Sequence, residues 1–222
     1  MNTQISNGDA TKLPMMTIHD WSTGPYPARV RIAVAEKNLR SRINFVSVDL
    51  TKGEHKKPEF LAKNYSGTLP VLELDDGTFI AECTAITEYL DGLDGSPTLT
   101  GGTPRDTGLI HMMSKRAELE LLDAISVYFH HATPGLGPHI ETYQCREWGE
   151  KSRERALAGM RYLDQVLERQ PFIAGARFTM ADITTFAGLL YADIAKIDVP
   201  SELGRLRAWR ARVSERPSIS LL

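Results

Sequence analysis

The sequence predicts an α+β chain in two parts, a small mixed unit over residues 15–91 and an all-helical unit over residues 105–222. Three observations predict it. Over the first part, short segments switch between the two-residue period of a strand and the 3.6-residue period of a helix. A stretch rich in Gly, Pro and Thr, GLDGSPTLTGGTP at 92–104, then breaks the pattern. Beyond it every patterned segment has helical spacing and none reads as a strand. With 222 residues the chain has room for two such units and their cores.

Taken in order, Met16–Asp20 reads as a first strand. Ala28–Asn38 carries Val30, Ile32, Ala33 and Val34 ahead of Glu36 and Lys37. It predicts a helix begun near Pro27, whose fixed φ suits a first helical turn. Ile43–Leu50, INFVSVDL, alternates apolar and polar residues, as a strand with one buried face does. The charged run TKGEHKKPEF follows as a loop entering a short helix over Pro58–Lys63. Pro70–Leu74 and Thr78–Ala81 flank Asp75-Asp76-Gly77, a hairpin turned at Asp-Gly. Glu82–Leu90 places Ala85, Ile86, Tyr89 and Leu90 at helical spacing, so the order is βαβ, a loop helix, then ββα. After the linker, helices are predicted over Arg105–Ala132, Trp148–Arg169, Ala181–Lys196 and Leu203–Glu215.

Composition narrows the function. A net charge of −2 argues against a nucleic-acid partner, and the basic residues of Arg205–Arg216 alternate with Leu206, Trp209 and Val213 as on a solvated helix face. Cys83 and Cys145 form no CxxC and no cluster at metal-ligand spacing, so no metal site is expected and a reducing, cytoplasmic compartment fits. No run approaches the ~18 apolar residues of a membrane helix. Met1 to Met15 are polar, lack the apolar core of a secretory signal and contain Lys12 but no Arg, so a disordered N-terminus is expected.

The most specific stretch is Ser66–Leu90, SGTLPVLELDDGTFIAECTAITEYL. A cis Pro70 would turn the backbone N–H and C=O of Leu69 outward, where they can pair with a peptide-like ligand as a short strand does. Twelve residues on, Glu82-Cys83 stands where a strand ends and a helix begins. A helix N-terminus favours a ligand carboxylate, and the Glu82 carboxylate suits a ligand ammonium. A ligand with peptide, carboxylate and ammonium groups matches this set.

This stretch resembles the glutathione-site signature of the glutathione transferase family, and the resemblance runs over nearly the whole chain. It implies a thioredoxin-like N-terminal domain, an all-α C-terminal domain, glutathione as co-substrate, a small hydrophobic electrophile as second substrate, and a homodimer. It also implies that Leu69 pairs with the cysteinyl backbone of glutathione and that Glu82 and Cys83 take its γ-glutamyl end. His55, in KGEHKKPEF, matches a position that contacts the glycyl carboxylate, with Lys56 as a candidate partner. Thr179-Met180-Ala181-Asp182 resembles the family's capped core helix, a structural element with Asp182 as a carboxylate variant of the capping box.

One departure matters. The family ordinarily activates the thiol with a Tyr, Ser or Cys just after the first strand, and here that loop reads Trp21-Ser22-Thr23-Gly24-Pro25-Tyr26-Pro27. The serine position falls on Gly24, with Ser22, Thr23 and Tyr26 out of register. Lowering a thiol pKa from about 8.5 by ~2 units takes roughly 2.7 kcal/mol of preferential interaction with the anion. Helix N–H groups around Gly24–Ala28 can supply part of it. In Glu118–His131, Leu119, Leu122, Ser126 and His130 fall on one helix face, so Ser126 and His130 can hold a water that takes the thiol proton, with His130 as general base. The resemblance covers a branch of the family that lacks the usual residue. Two alternatives stand beside this: direct donation by Ser22 or Thr23, and a helix-capping role for His130 or His131. Tyr128, Phe129, Tyr143 and Trp148 are candidates for an apolar electrophile pocket. A glutathione-dependent peroxide reductase and a non-catalytic scaffold of the same fold remain rival functions.

Overall fold

The computed structural model describes residues 13–220. The expectation for the polar N-terminus falls mostly on residues 1–12, outside the described residues. The first part holds strands β1 (Met16–Asp20), β2 (Ile43–Ser47), β3 (Val71–Glu73) and β4 (Phe79–Ala81), with helices α1 (Pro25–Glu36), α2 (Pro58–Leu61) and α3 (Cys83–Gly92). They form a four-stranded sheet in the order β2-β1-β3-β4. β1 pairs parallel with β2, while β3 runs antiparallel to both β1 and β4. This is the thioredoxin-like arrangement, followed by an all-helical part: α4 (Pro104–Ala117), α5 (Asp123–Ala132), α6 (Arg146–Val166), α7 (Met180–Ile194), α8 (Gly204–Ser214) and the short α9 (Pro217–Ser220).

The two parts share a core through α1. Val30 and Val34 pack with Met16, Ile18, Leu72 and Ile86 between sheet and helices, whereas Ile32 and Ala33 join Leu121, Ile125 and Leu189 of the helical core. A helix that is apolar on two faces is buried between two layers, and each fully buried aliphatic side chain contributes about 1.5–3 kcal/mol. The position of α1 therefore ties the site loop at its N-terminus to both halves.

Three local differences from the sequence reading have physical causes. The second strand stops at Ser47, because the Asp49 carboxylate accepts from the backbone N–H of Thr51 and Lys52 and opens a 3₁₀ turn instead. The charged loop after it is two such turns, Leu50–Lys52 and Glu54–Lys56. The helix expected over 105–132 is interrupted by a π turn at Glu118–Leu122. That turn lies against Gly159 of α6, where a Cβ would overlap the Glu120 carbonyl, so the extra residue is accommodated by a glycine on a distant helix.

Candidate active site

The strand registers carry the candidate residues to one end of the sheet. His19 of β1 faces Val71, and Val71 faces Ala81, so Trp21–Gly24, Leu69-Pro70 and Glu82 lie just beyond the same edge of three neighbouring strands. The Val48 N–H donates to the Asp20 carbonyl at 2.8 Å, which brings the start of the 48–56 loop to that end as well. The Leu69–Pro70 peptide is cis, and Leu69 is half-buried ahead of β3.

Glu82 stands at the N-cap of α3 with φ 69° and ψ 120°, a left-handed-side backbone that L residues rarely adopt. Its side chain is exposed and makes no capping hydrogen bond, so the carboxylate is not used in holding the helix. Strained backbone of this kind gathers at ligand sites. Cys83 behaves differently from a ligand-facing residue. Its Sγ is buried and donates to the Tyr26 carbonyl at 3.4 Å, and burial pushes the thiol up to about 11. What Cys83 offers a ligand is its backbone N–H.

His55 sits in the 3₁₀ turn Glu54–Lys56 and is buried, with Nδ1 lacking any hydrogen-bond partner. Burial, with Lys56 beside it, pushes the imidazole below its ordinary value and keeps it neutral. A buried polar atom without a partner is costly, and an arriving acceptor relieves it.

In the loop ahead of α1, Ser22 and Thr23 are exposed, and the Arg31 guanidinium holds the carbonyls of Trp21 and Ser22. Gly24 is the N-cap of α1, which has no side-chain cap and no acidic residue in its first turn. The positive end of that helix is thus left for another anion. Tyr26, in the first turn, is directed away from the loop: its hydroxyl donates to Asp123 Oδ1 of α5 at 2.6 Å. Burial raises the pKa of both groups, Tyr26 further through the neighbouring Asp123 charge. Beneath α3, Arg29 is buried in a pair with Glu118 at 2.7 Å and donates to Thr84 Oγ1 at 3.3 Å.

The Tyr26–Asp123 bond brings α5 to this corner, and Ser126 follows one turn later, beside the hydroxyls of Tyr26 and Tyr191. His130, a further turn on, bonds the Glu141 carboxylate through Nδ1 at 2.7 Å and the Tyr191 hydroxyl through Nε2 at 3.2 Å. The α5 end is capped by neither histidine. Gln144 donates to the carbonyls of His130 and Thr133 at 2.7 and 2.8 Å, while His131 Nδ1 accepts from the Cys145 N–H ahead of α6. Among the aromatic candidates, Phe129 packs on Tyr191 at 5.4 Å and on the His130 ring at 5.1 Å. Tyr143 and Trp148 instead gather about His131 and are 73% and 51% exposed. No group of three or more metal-ligating side chains occurs among the described residues, and no helix among them is long and apolar enough to cross a membrane.

Comparison with known proteins agrees with this architecture. The glutathione S-transferase N-terminal domain model matches residues 23–93 and the C-terminal domain model residues 120–217. The chain is 64% identical to glutathione S-transferase 2 of Saccharomyces cerevisiae, over 98% of this chain and 94% of that one. The chain belongs to the glutathione S-transferase family. The crystal structure of Gtt2 from the same yeast superposes with a TM-score of 0.92 at 66% identity, covering 92% of this chain and 99% of the other. A glutathione S-transferase domain-containing protein of Marinobacter aquaeolei gives 0.90 at 55% identity, over 91% and 99%.

As a member of this family the protein is a transferase with glutathione as co-substrate. Sequence reasoning named Leu69, Glu82, Cys83, His55, Ser126 and His130, and the fold brings the first three to one sheet end. It missed Tyr191, Glu141, Asp123 and Arg29. Asp123 and Ser126 lie three apart on one helix, a readable signal, but Tyr191 and Glu141 are 61 and 11 residues from His130 and nothing in the sequence joins them.

Proposed function

We propose that the enzyme joins the glutathione thiolate to small hydrophobic electrophiles, as a cytoplasmic homodimer acting in detoxification. Glutathione lies along the sheet end, with the Leu69 backbone pairing with its cysteinyl part. Glu82 and the Cys83 N–H take the γ-glutamyl ammonium and carboxylate, and His55 meets the glycyl carboxylate. The sulfur is directed toward the uncapped start of α1, and its proton leaves toward Ser126 and His130. Positioning of the thiolate and charge stabilisation by fixed dipoles then carry the attack.

The observation that carries this reading is the exposed Glu82 carboxylate, held at φ 69° and free of any capping bond. A scaffold has no use for that strain. The free state of both cysteines supports a reducing compartment. Initial rates of glutathione conjugation to an activated aryl halide, measured beside hydroperoxide reduction and with mass determination in solution, test it. Conjugation well above the uncatalysed rate by a species of twice the chain mass is expected. Glutathione binding without turnover across several electrophiles would identify a scaffold, and hydroperoxide turnover alone a peroxide reductase.

A further inference from the structure

In this structure Tyr191 is bonded to His130 and lies beside Ser126, the two members of the proposed pair. From that geometry we infer that Tyr191 and Glu141 are positioning residues of the thiol-activating device, Tyr191 as the bridging hydroxyl and Glu141 as the counter-charge of His130. The inference rests on the reading that Ser126 and His130 receive the thiol proton.

The directions of the hydrogen bonds follow from chemistry. An ionised carboxylate only accepts, so the 2.7 Å contact with Glu141 Oε1 puts the proton of His130 on Nδ1. The Nε2 lone pair is then left to accept from the Tyr191 hydroxyl at 3.2 Å. With its own proton so directed, the Tyr191 oxygen keeps lone pairs that can accept from Ser126 beside it. Ser126 Oγ keeps its lone pairs for an incoming S–H. The proposed series runs thiol, Ser126, Tyr191, His130, Glu141, and its last two bonds are formed in this structure. Tyr26, also beside Ser126, has its proton on Asp123, so its oxygen is a second acceptor for the one Ser126 proton.

The surroundings hold this geometry. Tyr191 is 5% exposed on the core helix α7, with its ring against Phe129 and Tyr26. Glu141 Oε1 also accepts from the Leu136 N–H at 2.8 Å. Gly135, at φ 55°, lets the chain fold over that oxygen where a Cβ would overlap it. A loop wrapped this tightly about one carboxylate fixes the imidazole plane.

The proton balance is simple. The S–H bond of glutathione breaks with its electron pair staying on sulfur. Ser126 gains that proton while passing its own to Tyr191, which passes its own to His130 Nε2. The resulting imidazolium lies against the Glu141 charge, and it returns the proton to solvent after conjugation.

The test titrates the thiolate absorbance of enzyme-bound glutathione against pH in Tyr191→Phe, Glu141→Gln, Ser126→Ala and His130→Ala, with kcat and KM for each. Tyr191→Phe removes one hydroxyl and Glu141→Gln one charge. Each is expected to raise the thiol midpoint by about one pH unit and lower kcat/KM at neutral pH about tenfold, with KM for glutathione unchanged and Glu141→Asp restoring part of the loss. If Ser126→Ala and His130→Ala shift the midpoint while Tyr191→Phe and Glu141→Gln titrate like wild type, a water rather than Tyr191 joins the pair and the inference falls alone. If none of the four shifts it, the underlying reading falls too. Should Tyr191→Phe fail to fold, Glu141→Gln tests the other end of the same series.

Discussion

Asp182 is a carboxylate whose removal should damage stability and leave the chemistry intact. It is fully buried at the start of α7, with four donors around it. Oδ1 accepts from the Ile173 N–H at 2.9 Å and the Trp209 indole at 3.1 Å, while Oδ2 accepts from the Thr179 N–H at 3.0 Å and its hydroxyl at 3.1 Å. In Asp182→Asn, the amide oxygen keeps one pair of donors and the NH₂ group faces the other. The Thr179 hydroxyl can turn to accept, but the Thr179 N–H cannot, and one donor is left opposing another. An orphaned buried donor costs about 1–3 kcal/mol, and the lost charge weakens the remaining bonds, so about 2–4 kcal/mol is expected. For a chain of this length that corresponds to a fall of about 4–16 °C in melting temperature. Scanning calorimetry of the two proteins measures it, together with the bound-thiol titration well below the transition. An unchanged melting temperature, or a shifted thiol midpoint in the folded variant, would refute the assignment of Asp182 as purely structural.

Three further outcomes follow from other parts of the molecule. The Cys83 thiol, pushed up to about 11 by burial, stays protonated at neutral pH, and the stability tied to its neutral form is full below the ordinary thiol value of about 8.5 and lost as pH rises from there through about 11. Iodoacetamide should therefore label Cys145 alone in the native protein at pH 7, and both cysteines after unfolding, as read by peptide mass. For the buried pair of Arg29 and Glu118, Glu118→Gln leaves a buried guanidinium without a counter-charge and should cost about 3–5 kcal/mol in urea denaturation. The double replacement Arg29→Met with Glu118→Leu should cost less than the single change. Burial alone would raise the Glu118 carboxyl, but Arg29 and Lys115 outweigh it and hold it below its ordinary value, so this contribution is present above about pH 4.5 and lost on further acidification. At the sheet end, Glu82→Gln should raise KM for glutathione about 10- to 100-fold with a smaller change in kcat, measured by initial rates at saturating electrophile.

Much of the fold is legible because it is written in local patterns. Asp75-Asp76-Gly77 specifies its hairpin, and Thr179 with Asp182 specifies the start of α7, where both bonds of the capping box form. Glu82 could be singled out because the strand–helix junction and the twelve-residue spacing from Pro70 are sequence features. Other elements depend on partners far along the chain. The π turn at Glu118–Leu122 has ordinary helical residues, and its cause is the space left by Gly159. Spacing alone makes Ser126 and His130 neighbours on one helix face, but the hydroxyl bonded to His130 comes from α7 and the carboxylate behind it from the loop ahead of α6. The resemblance implies that Cys83 takes the γ-glutamyl end of glutathione, but it does not say which way the thiol points, and here Sγ turns inward to the Tyr26 carbonyl. That orientation is decided by packing between α1 and α3, which no spacing in the sequence reveals.

The central claim is that Ser126 and His130 lower the pKa of the bound thiol in place of a residue from the Trp21–Ala28 loop. Its most direct test is the ultraviolet thiolate absorbance of enzyme-bound glutathione against pH in wild type, Ser126→Ala and His130→Ala. The account predicts a thiol midpoint well below that of free glutathione in wild type, raised in both variants with glutathione binding retained. Variants that titrate like wild type would contradict it and assign the thiolate to the loop and the start of α1 alone.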